Sequence, residues 1–323
     1  MSFQSVLGHD GALKQIKAAL SSGRIPPGFL FYGPGGVGKL LAARETARAL
    51  MCENAAARDS GDSCGRCRNC LQIENRVHPD VTVVNFEFQE NLLDKEMQEI
   101  SIDSIREVLK AVQRTCALRG WKVIIADSAD KLSDSAQNAV LKLLEEPPEG
   151  TLWILVTDAP SKLRPTILSR CRAVRFAPLP DEAVAEILVQ RGMAFDEAQS
   201  LSAMSGGSLA SAQFIKGLAE KTSGLDPLDP LYAFRVAASL PKTAMEARPA
   251  AGAIIELLAR SLSARWQAET RPRTRGEMKR VLEQLLVYRR YINLNVSPHT
   301  TLEAALLETG KFHLSVFPHS SRA

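Results

Sequence analysis

Residues 29–50 read FLFYGPGGVGKLLAARETARAL. A short apolar run, Phe29 to Tyr32, leads into Gly33-Pro34-Gly35-Gly36-Val37-Gly38-Lys39-Leu40, and the alanine- and leucine-rich segment beyond is strongly helix-forming. Buried strand, glycine loop and helix together make a phosphate-binding loop. Glycines let successive backbone N–H groups turn inward on phosphate oxygens, and the helix N-terminus adds partial positive charge. Lys39 has the spacing to reach the β- and γ-phosphates. The alternative is a glycine-rich strand-to-helix turn with no ligand, and the lysine weighs against it. One position departs from the pattern. Ser or Thr belongs after the lysine, to ligate the Mg²⁺ that bridges the phosphates. Leu40 offers a hard cation nothing. The loop reads as a cradle for ATP or ADP, weakly bound or not hydrolysed.

Working outward, Val81 to Asn85, Lys122 to Asp127, Leu152 to Val156 and Ala173 to Phe176 are further strand candidates. Helical spacing returns over 10–20, 102–115 and 133–146, the last stopped by Pro147-Pro148 and carrying Ala136, Val140, Leu143 and Leu144 on its apolar face. Strands alternating with helices predict an α/β domain with a mostly parallel sheet covered on both faces. After Pro178 the strand signals stop. Residues 181–220 read as short helices broken at Gly206-Gly207, 223–230 as a linker, and 250–268 and 274–293 as long helices. The predicted organisation is a nucleotide-binding domain over 1–178, a small helical domain over 179–222 and an all-α domain over 223–323. The last dozen residues are short on pattern.

A chain of 323 residues exceeds one ordinary core, and 45% hydrophobic with 24% charged residues is globular composition. The net charge of +4 leaves any nucleic-acid role to a local patch. Neither a signal-peptide pattern nor an apolar stretch of membrane-span length is visible, so a cytoplasmic protein without membrane contact is expected.

Cysteine usage does not suggest a secreted disulfide framework. Cys64-x-x-Cys67-x-x-Cys70, with Cys52 twelve positions before Cys64, instead has the spacing of a structural Zn²⁺ site. Four thiolates close a tetrahedral shell and leave no open position for catalysis. The module, 52–70, has little hydrophobic content, so a metal would supply its order. Free cysteines on a loop are the alternative.

Hydrolysis needs further groups. Asp127 ends a strand where an acidic residue near Mg²⁺ is wanted, but Ser128 follows where a water-polarising glutamate would stand, and Asp130 is displaced along the chain. Arg170, taken alone, is by default a solvated surface charge.

The order of these parts resembles the clamp-loader AAA+ family of bacterial DNA polymerase III. Asn138-Ala-Val-Leu-Lys-Leu-Leu-Glu-Glu-Pro-Pro148 and Thr166-Ile-Leu-Ser-Arg-Cys171 are its most specific segments, with His78-Pro79-Asp80 and Ile102-Asp-Ser-Ile-Arg106 in support. The pattern is most similar to the delta-prime type. The resemblance covers roughly residues 5–310 and is specific in the first 180. It implies an AAA+ P-loop domain, a helical lid and a C-terminal helical collar in a hetero-pentameric ring. The ring's other members would be motor subunits (gamma/tau) and delta, and it would act on a sliding clamp and primer-template DNA as part of a DNA-directed DNA polymerase holoenzyme. Arg170 would be an arginine finger serving a neighbour's ATP site. Thr157 would occupy the sensor-1 position, and Leu209-Ala210 stands where a motor subunit's sensor-2 arginine is found. Leu40, Ser128 and Leu209-Ala210 depart together from the motor pattern, which implies a subunit without its own ATPase activity.

Arg260, Arg265, Arg271, Arg273, Arg275, Lys279, Arg280, Arg289 and Arg290 form a basic run. Solvated helices account for it as well as DNA contact does. Leu282, Leu285, Leu286 and Tyr288 among them read as core and ring interface. Two competing readings are a working AAA+ motor or helicase loader, and a zinc-module DNA-binding protein.

Overall fold

The computed structural model describes residues 2–93, 97–113, 120–222, 229, 231–242, 244–292, 294 and 296–312. Cys116 and nearly all of the expected 223–230 linker and of the last dozen residues lie outside that set. The chain divides into two compact units, Met1–Leu179 and Pro180–Ala323.

The first unit is a five-stranded sheet with helices. Its strands are β1 (Gly28–Tyr32), β2 (Val81–Val84), β3 (Lys122–Ala126), β4 (Thr151–Thr157) and β5 (Cys171–Arg175). They lie in the order β2-β3-β4-β1-β5, all parallel. Its helices are α1 (Asp10–Ser21), α2 (Lys39–Met51), α3 (Ala55–Asp59), α4 (Arg68–Glu74), α5 (Phe86–Leu93), α6 (Ile102–Gln113), α7 (Asp134–Glu145) and α8 (Pro165–Leu168). Each strand that the sequence predicts is present, within a residue or two at its ends.

β3 and β4 are buried along their whole length, as inner strands of a parallel sheet must be, since their faces meet helices rather than water. Trp153 and Ile154 on β4 and Ile124 and Ile125 on β3 are almost fully enclosed. Ala136, Val140, Leu143 and Leu144 of α7 are buried, and α7 begins with Ser133 Oγ accepting from the Ala136 N–H. β5 is an edge strand with exposed Arg172 and Arg175, charges that discourage further pairing. α5 was not predicted: Phe86 and Phe88 pack against the core, but the segment is too short to show a helical period.

The second unit holds α9 (Asp181–Gln190), α10 (Phe195–Ser205), α11 (Leu209–Thr222), α12 (Tyr232–Ala238), α13 (Ala244–Ala268), α14 (Pro272–Ile292) and α15 (Pro298–Gly310). Both predicted long helices are found, α13 starting six residues earlier than expected. α13, α14 and α15 pack against one another over Leu258, Leu262, Leu285 and Leu302, and Arg260 donates to the Met204 carbonyl at 3.3 Å, tying α13 to the end of α10. Leu286 is exposed whereas Leu285 is fully buried. No helix among the described residues is long and apolar enough to cross a membrane.

β1 is held between β4 and β5, so the loop that follows it emerges at the carboxyl ends of the strands. The loop turns at once. Gly33 has φ +148°, and a Cβ on it would stand 2.0 Å from the Phe176 carbonyl oxygen. Gly33→Ala should therefore destabilise the protein by about 2–3 kcal/mol in denaturant unfolding, combining backbone strain with a clash against main chain that cannot swing aside. An unchanged midpoint would show that the loop re-forms around the extra methyl.

Candidate functional site

The loop Gly33–Leu40 wraps the N-terminus of α2. Gly33, Gly36 and Gly38 all have positive φ, and Gly38 is the helix N-cap. Gly35 and Gly36 are exposed with Pro34, while Val37 turns inward and is buried. The Val37 carbonyl accepts a hydrogen bond from His9 Nε2 at 2.8 Å. Burial lowers the His9 pKa, which favours the neutral ring, and the ring packs edge-on against Phe176 at 4.9 Å. His9 thus braces the loop from behind.

Lys39 is buried. Its Nζ donates to the carbonyls of Gly33 at 2.8 Å and Pro34 at 2.5 Å, and to Asp158 Oδ1 at 2.6 Å. These three acceptors can take all three ammonium protons. An in-chain carboxylate balances the lysine. Leu40, half-buried beside it on α2, brings no oxygen.

Asp127 follows β3, and its N–H donates to the Val84 carbonyl at 2.9 Å. Burial pushes its carboxyl above the usual range. The Asp158 charge adds to this, while the Ser128 N–H, Arg44 and Lys39 oppose it. Asp127, Asp158, Lys39 and Arg44 thus form one group of mutually acting charges. Arg44 lies four residues beyond Leu40 on α2. Ser128 has φ +60°, a left-handed conformation that a non-glycine residue seldom takes. Thr157, buried at the end of β4, donates through Oγ1 to Asp130 Oδ1 at 2.9 Å and accepts from the Ala159 N–H at 3.0 Å. The structure therefore draws Lys39, Asp127 and Thr157 to the carboxyl edge of the sheet and adds Asp130, Asp158 and Arg44. Asp158 is not legible from sequence, because only the β1–β4 register, with Tyr32 opposite Thr157, brings it to the loop.

Cys52, Cys64, Cys67 and Cys70 converge, with all four sulfurs within 4.8 Å of one another. Cys52 caps the C-terminus of α2, Cys67 caps the N-terminus of α4, and Cys70 lies within α4. The N–H groups of Cys64 and Cys67 donate to the sulfurs of Cys52 and Cys64 at 3.3 and 3.4 Å. The Arg66 N–H, with that of Cys67, holds the Cys64 thiol down at about 6, whereas burial pushes Cys52 and Cys70 up. The donor set suits a thiophilic cation, since tetrahedral Zn–S bonds separate sulfurs by about 3.8 Å. The cluster could hold a metal ion. Behind it, buried Arg48 pairs with Glu45 at 2.8 Å and Glu74 at 3.5 Å, joining α2 to α4. Glu45 and Arg48 stand three apart on α2, a spacing that sequence shows, whereas the reach to Glu74 depends on how α2 and α4 pack.

Arg170 lies between α8 and β5 and is not drawn to its own chain's loop. Its partners are Glu145, Thr166 and Ser169. Within the basic run, Arg260, Arg271, Arg273, Lys279 and Arg289 each have a carboxylate partner, and Arg275 stacks on Trp266 at 4.5 Å. That pairing favours solvated helices over a DNA-binding face.

A family model described as DNA polymerase III, delta subunit, matches residues 8–180. The DNA polymerase III subunit delta' of Pseudomonas aeruginosa is 35% identical over 192 residues, which cover 58% of this chain and 55% of that protein. The DNA polymerase III subunit tau of Escherichia coli is 34% identical over 183 residues, 57% of this chain and 26% of that protein. The chain thus spans about half the length of the delta' relative. Among solved structures, a DNA polymerase III gamma subunit-related protein from Thermotoga maritima superposes with a TM-score of 0.52 at 18% identity, covering 93% of this chain and 99% of that one. At that identity the likeness is one of fold.

A nucleotide phosphate reaching Lys39 would have to displace Asp158. Asp158→Asn should therefore tighten binding of a fluorescent ADP analogue to the purified chain by roughly three- to tenfold, the worth of a partly exposed ion pair. Adding Lys39→Ala should abolish the gain. Equal affinities for Asp158→Asn and the unsubstituted chain would show that the pair does not compete with phosphate.

Proposed function

The chain belongs to the DNA polymerase III, delta subunit family, and from that membership we propose that it is a delta-prime-type, non-hydrolysing subunit of a clamp loader. In this reading it sits with gamma/tau motor subunits and a delta subunit in a cytoplasmic hetero-pentameric ring that places a sliding clamp on primed DNA. α9–α11 form the lid and α12–α15 the collar. The exposed apolar side chains Leu231, Phe234, Leu286 and Leu307 of the second unit suit a collar that packs against neighbouring subunits.

One observation carries the reading: the glycine loop and Lys39 stand without the usual Mg²⁺ ligand and base beside them. Leu40 supplies no Mg²⁺ ligand and Ser128 no base, and Lys39 is balanced by Asp158. Turnover by a P-loop site needs the metal, positioned water and a free lysine together. Arg170, in contrast, is partly exposed, with a planar guanidinium suited to phosphate. Projected into a neighbour's ATP site, it would stabilise charge on the γ-phosphoryl group as that group transfers. The cysteine cluster would hold structural Zn²⁺, closed by Cys52, Cys64, Cys67 and Cys70, and would keep the 52–70 module ordered without taking part in chemistry.

The near-equal identities to delta' and tau relatives favour one alternative, a working motor subunit. Steady ATP hydrolysis by the purified chain that disappears in Lys39→Ala would select it.

Reconstituted with motor and delta subunits, clamp and primed DNA, the Arg170→Ala chain should lower ATP turnover sharply, since measured fingers contribute about 10³–10⁵ at the site they serve. Nucleotide affinity of the ring should hold. Unchanged turnover would remove the finger assignment. Purified chain should also contain about one zinc per molecule by atomic emission. Cys67→Ser should lose the metal and several kcal/mol of stability, on the order of what structural zinc sites supply. A metal-free native protein with an unaltered melting point would refute the zinc site.

A further inference from the structure

Arg170 is not loose. Its Nη2 lies 2.8 Å from Glu145 Oε1, and its Nη1 donates to the Thr166 carbonyl at 3.1 Å. Glu145 is the last residue of α7, and Arg170 stands between α8 and β5. A single backbone position registers these two remote segments. Gly28 opens β1 and pairs with Cys171. A Cβ on Gly28 would stand 2.7 Å from Leu144 Cδ2 and 3.0 Å from Cys171 Sγ. Leu144 and Cys171 therefore close together over Gly28, and the residue next to each, Glu145 and Arg170, meets the other.

The same two segments are joined at the other end of α7. Gln137 Oε1 accepts from the Arg164 N–H at 3.0 Å, and Arg164 Nη2 pairs with Asp134 Oδ1 at 3.2 Å. α7 and the segment leading to Arg170 are thus joined at both ends of the helix, with the guanidinium at the end that carries Glu145.

We propose that Glu145 is the positioning residue for Arg170, setting the direction in which the guanidinium leaves the subunit. The proposal rests on the finger reading given above. Glu145 engages Nη2, and Thr166 and Ser169 together engage Nη1, so two of the five N–H donors remain for an incoming phosphoryl group. Restraining a long side chain beforehand reduces the ordering left to do when the transition state forms. The pair is partly exposed at both partners, so it is weak enough for a more highly charged phosphoryl group to compete. Glu145 acts through Arg170 and touches no reacting atom.

The test uses the assembled loader with clamp and primed DNA, comparing kcat and KM for ATP across Arg170→Ala, Glu145→Ala, Glu145→Gln and the Arg170→Ala/Glu145→Ala double variant. Glu145→Ala should remove at least about half of the kcat that Arg170→Ala removes, with KM unchanged, since misplacing a catalytic group acts on the chemical step. Glu145→Gln keeps an acceptor and should recover most of the loss. The double variant should match Arg170→Ala alone. A merely structural glutamate would instead lower the melting temperature of the free subunit, move KM, or add its loss to that of Arg170→Ala, and any of these overturns the positioning role. If Arg170→Ala lowers kcat and both Glu145 variants behave like the unsubstituted chain, this proposal alone fails. If Arg170→Ala itself has no effect, the finger reading fails, and this proposal with it.

Discussion

Everything in the first unit hangs on β1 lying between β4 and β5 in one parallel register. Tyr32 sits opposite Thr157 on one side and Arg175 on the other, and Gly28 opposite Trp153 and Cys171. The carboxyl end of β1 delivers the glycine loop next to Thr157 and Asp158. Its amino end receives Leu144 and Cys171. One five-residue strand therefore sets up two places of chemical interest, at opposite ends, and a slip in its register would dismantle both.

Those two ends are built on different physics. At the loop end, charge is enclosed: Lys39 is buried, with two carbonyls and one carboxylate around it. A buried ammonium must be paired to be tolerable, and the chain itself supplies a counter-charge in Asp158. At the other end the charge faces outward, partly solvated and steered by a weak pair. An enclosed cation suits a resting state, whereas an exposed one suits delivery to another molecule. The contrast supports assigning the subunit's active contribution to Arg170 instead of to its own loop.

Much of this was legible in the amino-acid order. The glycine loop, the five strands, the α7 face and the cysteine spacing are local patterns, each carried by a run of adjacent residues. Contacts between remote segments were not. Asp158 on Lys39, Asp130 on Thr157, His9 on Val37, Glu145 on Arg170 and Glu74 on Arg48 all depend on how strands are ordered in the sheet or helices are packed. No periodicity records that. α5 escaped for a related reason, since eight residues with Phe86 and Phe88 show too little of a helical period to be told from a strand. The division of the helical half also rested on a linker that lies mostly outside the described residues, and the contacts group that half as one unit.

The turn at Gly33 bears on how such a chain can drift. Its backbone is pressed against the Phe176 carbonyl, so the glycine is required by the neighbouring strand whether or not any phosphate enters. The side chain at 40, on a regular helix, carries no comparable burden, and mutation can exchange it without disturbing main chain. Inheritance can then act unevenly on a glycine loop: a side chain beside it is free to change while the curve of the loop persists. A motif preserved in this way records a packing obligation, and its presence in a sequence is no measure of turnover.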